Sequence, residues 1–107
     1  MHDKEIYTQL NEIILTHKRL KRTNFSGEEG NRFLKTFRYC LTSLKEDYRL
    51  IMIESYFECS YQFWWVDYFC KSSYYRKRYW AIISFVRLFN IIYENFDYYS
   101  TFNSALN

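Results

Sequence analysis

Apolar positions recur at three- and four-residue steps along most of the chain. Ile6, Leu10, Ile13, Ile14 and Leu20 form one stripe, which predicts a first helix running to about Leu20, with Asp3 able to cap its start. Phe33, Leu34, Phe37, Leu41 and Leu44 repeat in the same way and predict a second helix over 31–43. A third helix is expected from Leu44 to Phe57, burying Tyr48, Ile51, Met52, Ser55 and Tyr56; Ser43, with Glu46 three residues on, reads as its capping box. A short fourth helix over 61–69, capped by Ser60, carries Phe63, Trp64, Val66 and Tyr68. Trp64 and Trp65 are neighbours, so one of them is expected to be exposed or to sit at a subunit interface.

After a tight Cys70-Lys71-Ser72 connection, Ser72 or Ser73 caps a fifth helix reaching about Phe96. Tyr74, Arg78, Ala81, Phe85, Leu88 and Ile92 make its inward stripe, and Ala81 is small, as expected where another helix crosses closely. Ile82, Ile83, Val86, Phe89, Ile91 and Ile92 spread over more than one face, which suggests burial on two sides and fits a homodimer. Residues 97–107 have no period and read as a flexible tail.

Few residues interrupt these stripes. The chain has no proline and only two glycines, Gly27 and Gly30, both inside the polar stretch 23–31, which is the clearest loop. A β-rich fold needs turn residues at regular intervals and this chain lacks them. The expectation is an all-α, four- to five-helix bundle. It divides into an N-terminal helical segment 1–43, a helix-turn-helix with a long C-terminal recognition helix at 44–96, and the tail.

Charge adds a second pattern. The net charge of +3 is too mild to announce a nucleic-acid partner, but its distribution is uneven. No acid lies between Asp67 and Glu94, whereas Lys71, Arg76, Lys77, Arg78 and Arg87 fall in that window. Arg78 lies on the inward stripe, where an acid such as Glu54 or Glu58 can meet it. A second basic cluster, His17, Lys18, Arg19, Lys21 and Arg22, ends the first helix; it complements the helix dipole, and a phosphate-contacting arm is the alternative reading.

Other chemistries find little footing. Cys40, Cys59 and Cys70 are widely spaced without a Cys-x-x-Cys pair, so zinc is not expected and the thiols read as reduced, buried or half-buried side chains. There is no glycine-rich phosphate loop, and neither His2 nor His17 has an evident catalytic partner; catalysis and a cofactor are not expected. The start lacks a signal-peptide core and no apolar run approaches a membrane span, so a cytoplasmic protein with no membrane partner is expected.

The segment 44–85 carries the functional signal. A helix, a short helix, a tight turn and a basic helix opening on serines are the layout of a helix-turn-helix, whose recognition helix offers its first turns to base edges. Lys71, Ser72, Ser73, Tyr75, Arg76, Lys77, Tyr79 and Trp80 are the candidate DNA-facing residues if Tyr74, Ala81 and Phe85 point inward. The residues here also resemble region 4 of sigma factors. Leu44, Glu46, Arg49, Ile51, Met52 and Tyr56-Phe57-Glu58 look like its opening helix, Ser60-Tyr61 like the start of the next, and Ser72 to Lys77 like the start of its recognition helix, with Ala81 and Phe85 at the packed positions further along. The likeness covers roughly 45 residues and is greatest to short sigma-like regulators of phages and mobile elements of low-GC Gram-positive bacteria. Cys70-Lys71 stands where that family usually has a glycine, and Trp64-Trp65 is bulkier than the usual pair. Residues 1–40 are too short and too unlike region 2 for a complete sigma factor. The resemblance implies a sequence-specific regulator of transcription that binds double-stranded DNA and can touch RNA polymerase. The alternative is an aromatic-rich module that binds polymerase or another regulator without DNA, since rings make up 23% of the chain and a core this small cannot enclose them all.

Overall fold

The computed structural model describes residues 3–23, 27–58 and 61–106, from residue 94 onward as backbone only. It is all-α: helices α1 (Asp3–Thr23), α2 (Glu28–Ser43), α3 (Glu46–Met52) and α4 (Lys71–Leu106), with no strand among the described residues. At about 1.5 Å per residue α4 is about 54 Å long. That is the long dimension of the molecule, 54 × 31 × 24 Å.

The other three helices pack on α4. Helix α1 runs parallel to it. Ile6 lines a cleft with Ile82 and Ile83, Asn90 Nδ2 donates to Gln9 Oε1 at 2.7 Å, and Leu20 lies in a cleft with Tyr93. Helix α2 runs antiparallel, with Phe37 edge-on to Phe85 at 5.5 Å and Phe33 edge-on to Phe89 at 5.2 Å. The predicted stripe of α1 is buried throughout, as are Phe33, Phe37 and Leu44 of the second stripe and Tyr74, Ala81 and Phe85 of the last. Ala81 is fully buried, which lets the neighbouring helices approach α4 closely.

The two-sided apolar character of α4 has an internal cause. Ile82, Ile83, Val86 and Phe89 are buried within the single chain, Ile92 is half-buried, and Ile91 alone of the set is exposed. These four burials need no second copy of the chain, so the breadth of the apolar pattern on α4 does not by itself argue for a dimer.

Several boundaries differ from the periodic reading. Helix α2 begins at Glu28, so Gly30 is a helical residue. Glu28 and Glu29 in its first turn suit the positive end of the helix dipole, and Gly30 is buried beside Leu20 and Phe33, where a side chain would fill the cleft. The capping box does not form. Ser43 Oγ donates back to the Tyr39 carbonyl at 2.7 Å, and α3 starts after Lys45 with no side-chain cap. Two residues join α2 to α3, and Leu44 is extended and buried, which leaves Ser43 within α2. The third helix ends in a π-turn over Ile53–Phe57, closed by Glu58 N–H donating to the Ile53 carbonyl. The expected fourth helix is a single 3-10 turn, Trp64–Asp67. Helix α4 starts at Lys71, so Ser72 and Ser73 lie inside its first turn instead of capping it, and it continues as helical backbone through the aperiodic end to Leu106. The expected Ser60 cap and Cys59 lie outside the described residues.

Candidate nucleic-acid interface

The site is built on a second, smaller core of Ile51, Trp64, Trp65 and Tyr74. Both tryptophans are buried, contrary to the expectation that one would face out. The reason is that they straddle Tyr74. Trp65 stacks flat on its ring at 4.6 Å and 7°, while Trp64 meets it edge-on at 5.9 Å and 85°. The π-turn supplies the polar pin. Trp64 Nε1 donates to Ser55 Oγ at 3.2 Å, and the Ser55 and Tyr74 hydroxyls share a hydrogen bond at 2.9 Å. A π-turn adds a residue to one helical turn. Here it lets Ser55 reach Tyr74 while Phe57 packs edge-on to Phe37 at 4.7 Å in the main core. Residues 64–69 are thereby clamped against the start of α4.

Exposure along α4 changes with position. Lys71 and Tyr75 are exposed, yet Tyr79, Ile82 and Val86, further along the same row, are half-buried or buried. Ile6 and Tyr7 line a cleft with Tyr79, so cover on this row begins there. On the turns before it Lys71 and Tyr75 are exposed, whereas Tyr74 is buried and Ser73, Lys77 and Arg78 are half-buried. A second row carries exposed Ser72, Arg76, Trp80, Arg87 and Ile91, interrupted by half-buried Ser84.

The candidate DNA-facing residues therefore separate. Lys71, Ser72, Tyr75, Arg76 and Trp80 are exposed. Ser73 is half-buried, and its backbone N–H, followed by the Ser72 hydroxyl, holds the exposed Cys70 thiol below its ordinary range. Tyr79 packs against the main core under α1 and is not outward-facing as expected. Lys77 is half-buried: its Nζ donates to Asp47 Oδ2 at 2.6 Å and lies 5.1 Å from the Phe69 ring. Arg78 lies over the rings of Tyr74 and Tyr75 at 5.8 and 4.9 Å, with its Nε buried and without a hydrogen-bond partner.

The basic end of α1 is elsewhere. Lys18, Arg19, Lys21 and Arg22 are exposed, but Thr16, Arg19 and Leu20 lie near Tyr93. That is 17 residues, or about 25 Å of helix, from Arg76. His17 does not belong to this basic surface. It is half-buried and stacked on Phe37 at 4.0 Å, and burial, then the charge of Lys21, holds its pKa below the ordinary value. Of the cysteines, Cys40 is buried as expected, whereas Cys70 is exposed because it precedes the first turn of α4.

Sequence reasoning missed three contributors. Asp47 meets Lys77 across 30 positions, which no local pattern reveals. Ser55 pins both Trp64 and Tyr74. Tyr61, Phe63, Val66 and Tyr68 are exposed together on the connection, with Asp67 among them. Their cue in the sequence was the density of rings too great for a small core.

No protein-family model, curated protein or solved structure matches the chain. No helix among the described residues is long and apolar enough to cross a membrane.

Proposed function

We propose that this chain is a DNA-binding regulator of transcription that places the first turns of α4 in the major groove of a duplex. The observation that carries the reading is the exposure of Lys71, Ser72, Tyr75, Arg76 and Trp80 on the first turns of α4, in a stretch without acids. A helix of this diameter fits a groove about 12 Å wide, and exposed Arg and Lys on its first turns suit guanine edges and phosphates. Helix α3, the clamped connection and α4 act together as a helix-turn-helix-like unit, with the 3-10 turn in the place of a bracing helix. The reading draws further support from the resemblance of residues 44–85 to sigma region 4.

Fluorescence anisotropy with labelled genomic duplexes at two salt concentrations tests it. Binding that weakens steeply with salt, and is lost in a folded Lys71→Ala/Arg76→Ala variant, is the expected result. Absence of binding at low salt refutes it.

A second reading is favoured by one observation. Tyr61, Phe63, Val66 and Tyr68 are each more than half exposed on one short connection. Such a ridge suits a protein surface, with RNA polymerase or a second copy of the chain as the occupant. Under that reading, capture of polymerase survives Lys71→Ala/Arg76→Ala and is lost on Phe63→Ser/Tyr68→Ser.

A further inference from the structure

The inference rests on the DNA-binding reading above and concerns how the surface divides its cations. Arg76, Lys77 and Arg78 are consecutive, so a helix points them in three different directions. Arg78 faces inward over Tyr74 and Tyr75. Lys77 faces α3, where Asp47 in the first turn receives its Nζ at 2.6 Å. Arg76 faces outward on the exposed row with Ser72 and Trp80.

The Asp47–Lys77 pair is shallow, with side chains 51% and 30% exposed. A pair this exposed adds little to stability, but at 2.6 Å the carboxylate holds the place an approaching anion would take on Nζ. A phosphate nearing Lys77 must therefore displace Asp47 and also meets the repulsion of that carboxylate. Among the described residues no carboxylate is paired with Arg76, whose charge acts instead on the neighbouring Cys70 thiol. Its planar fork can bond guanine O6 and N7 together, whereas Lys71 offers a point charge suited to phosphate.

We propose that Asp47 withholds Lys77 from DNA and leaves Arg76 as the residue that reads base edges. Sequence preference is then carried by one arginine, and the sequence-independent part of the affinity is kept low because one cation is diverted from the backbone.

The test uses the full chain as wild type, Asp47→Asn, Lys77→Ala, Asp47→Asn/Lys77→Ala and Arg76→Ala. Each is titrated over a salt series onto a mixed-sequence duplex and onto duplexes that the wild type enriches from a random pool. Thermal melts establish that every variant is folded. Asp47→Asn is expected to tighten mixed-sequence binding about five- to tenfold near ~0.1 M salt and to steepen the slope of log K against log salt by about 0.9, the signature of one added phosphate contact. Lys77→Ala should change the wild type little but cancel the gain in the Asp47→Asn background. Arg76→Ala should erase the preference for enriched duplexes while leaving mixed-sequence binding within a few-fold.

An unchanged slope in Asp47→Asn overturns the withholding role. So does a Lys77→Ala loss as large in the wild type as in Asp47→Asn. A preference that survives Arg76→Ala overturns the reading role. If the wild type shows no salt-sensitive binding to any duplex, the DNA reading itself fails and this proposal falls with it.

Discussion

Replacing Ser55 by alanine should loosen the connection that presents α4. The Ser55 hydroxyl accepts from Trp64 Nε1 at 3.2 Å and is bonded to the Tyr74 hydroxyl at 2.9 Å. Trp64 and Tyr74 are 6% and 4% exposed, so water has little access to replace what is lost. Two hydrogen bonds at about 1 kcal/mol each give about 2 kcal/mol, and a stranded indole N–H raises the cost toward about 3 kcal/mol. For a domain near this size that corresponds to a fall in Tm on the order of 10 °C. Urea unfolding followed by tryptophan emission is the natural assay, because Trp64 and Trp65 both lie in the affected core. Tyr74→Phe removes one bond but leaves the Trp64–Ser55 bond, and should cost about 1 kcal/mol. The double variant should be less destabilised than the sum of the two, since both changes delete the same hydroxyl pair. A Ser55→Ala loss below about 0.5 kcal/mol, with unchanged emission and additive behaviour, would refute the pinning role.

Three further outcomes follow from other parts of the molecule. Phe85 is fully buried and touches the rings of Phe37, Phe57 and Phe89, so Phe85→Ala should cost about 3–5 kcal/mol in chemical denaturation. His17 has its pKa lowered by burial, so the unfolded chain takes up its proton more readily than the folded one. The corresponding stability is present above the unfolded value of about 6.5 and is lost as pH falls through it toward the lower folded value. A series of denaturation midpoints against pH should show this decline, and His17→Phe should flatten it. In a Cys59→Ser background, a thiol reagent should label Cys70 at once but reach Cys40 only on unfolding. Burial pushes the Cys40 thiol up to about 11, whereas Cys70 is exposed and hydrogen bonds from the Ser73 backbone and the Ser72 hydroxyl lower its pKa. Equal labelling rates in the native protein would contradict the burial of Cys40.

Much of the fold was legible because helical packing leaves a local trace. The stripe Ile6, Leu10, Ile13, Ile14 and Leu20 is buried as its spacing predicts, and Ala81 sits at a close approach. The reading failed where short-range chemistry had alternatives. Ser43 could cap α3 or bond back into α2, and the two-residue link decided for the latter. Residues 61–69 carry apolar groups at helical spacing but form one 3-10 turn, because the Trp64 and Trp65 rings close on Tyr74 from two sides. The candidate site was legible as a basic window but not as a surface. Tyr79 falls under α1 and Lys77 turns to Asp47, and both outcomes depend on helices far away in the chain.

By itself, then, the sequence determined that the protein is helical, which faces of α1, α2 and α4 turn inward, and that positive charge gathers without acids on the last helix. These are properties of residues within one or two helical turns of each other, which spacing records. Tertiary structure alone decided how far α1 covers α4, that the second apolar face of α4 is filled within the chain, and that Arg76, Lys77 and Arg78 have three different surroundings. Those outcomes depend on where one helix ends beside another, and residues far apart in the chain meet only once the helices have packed on one another.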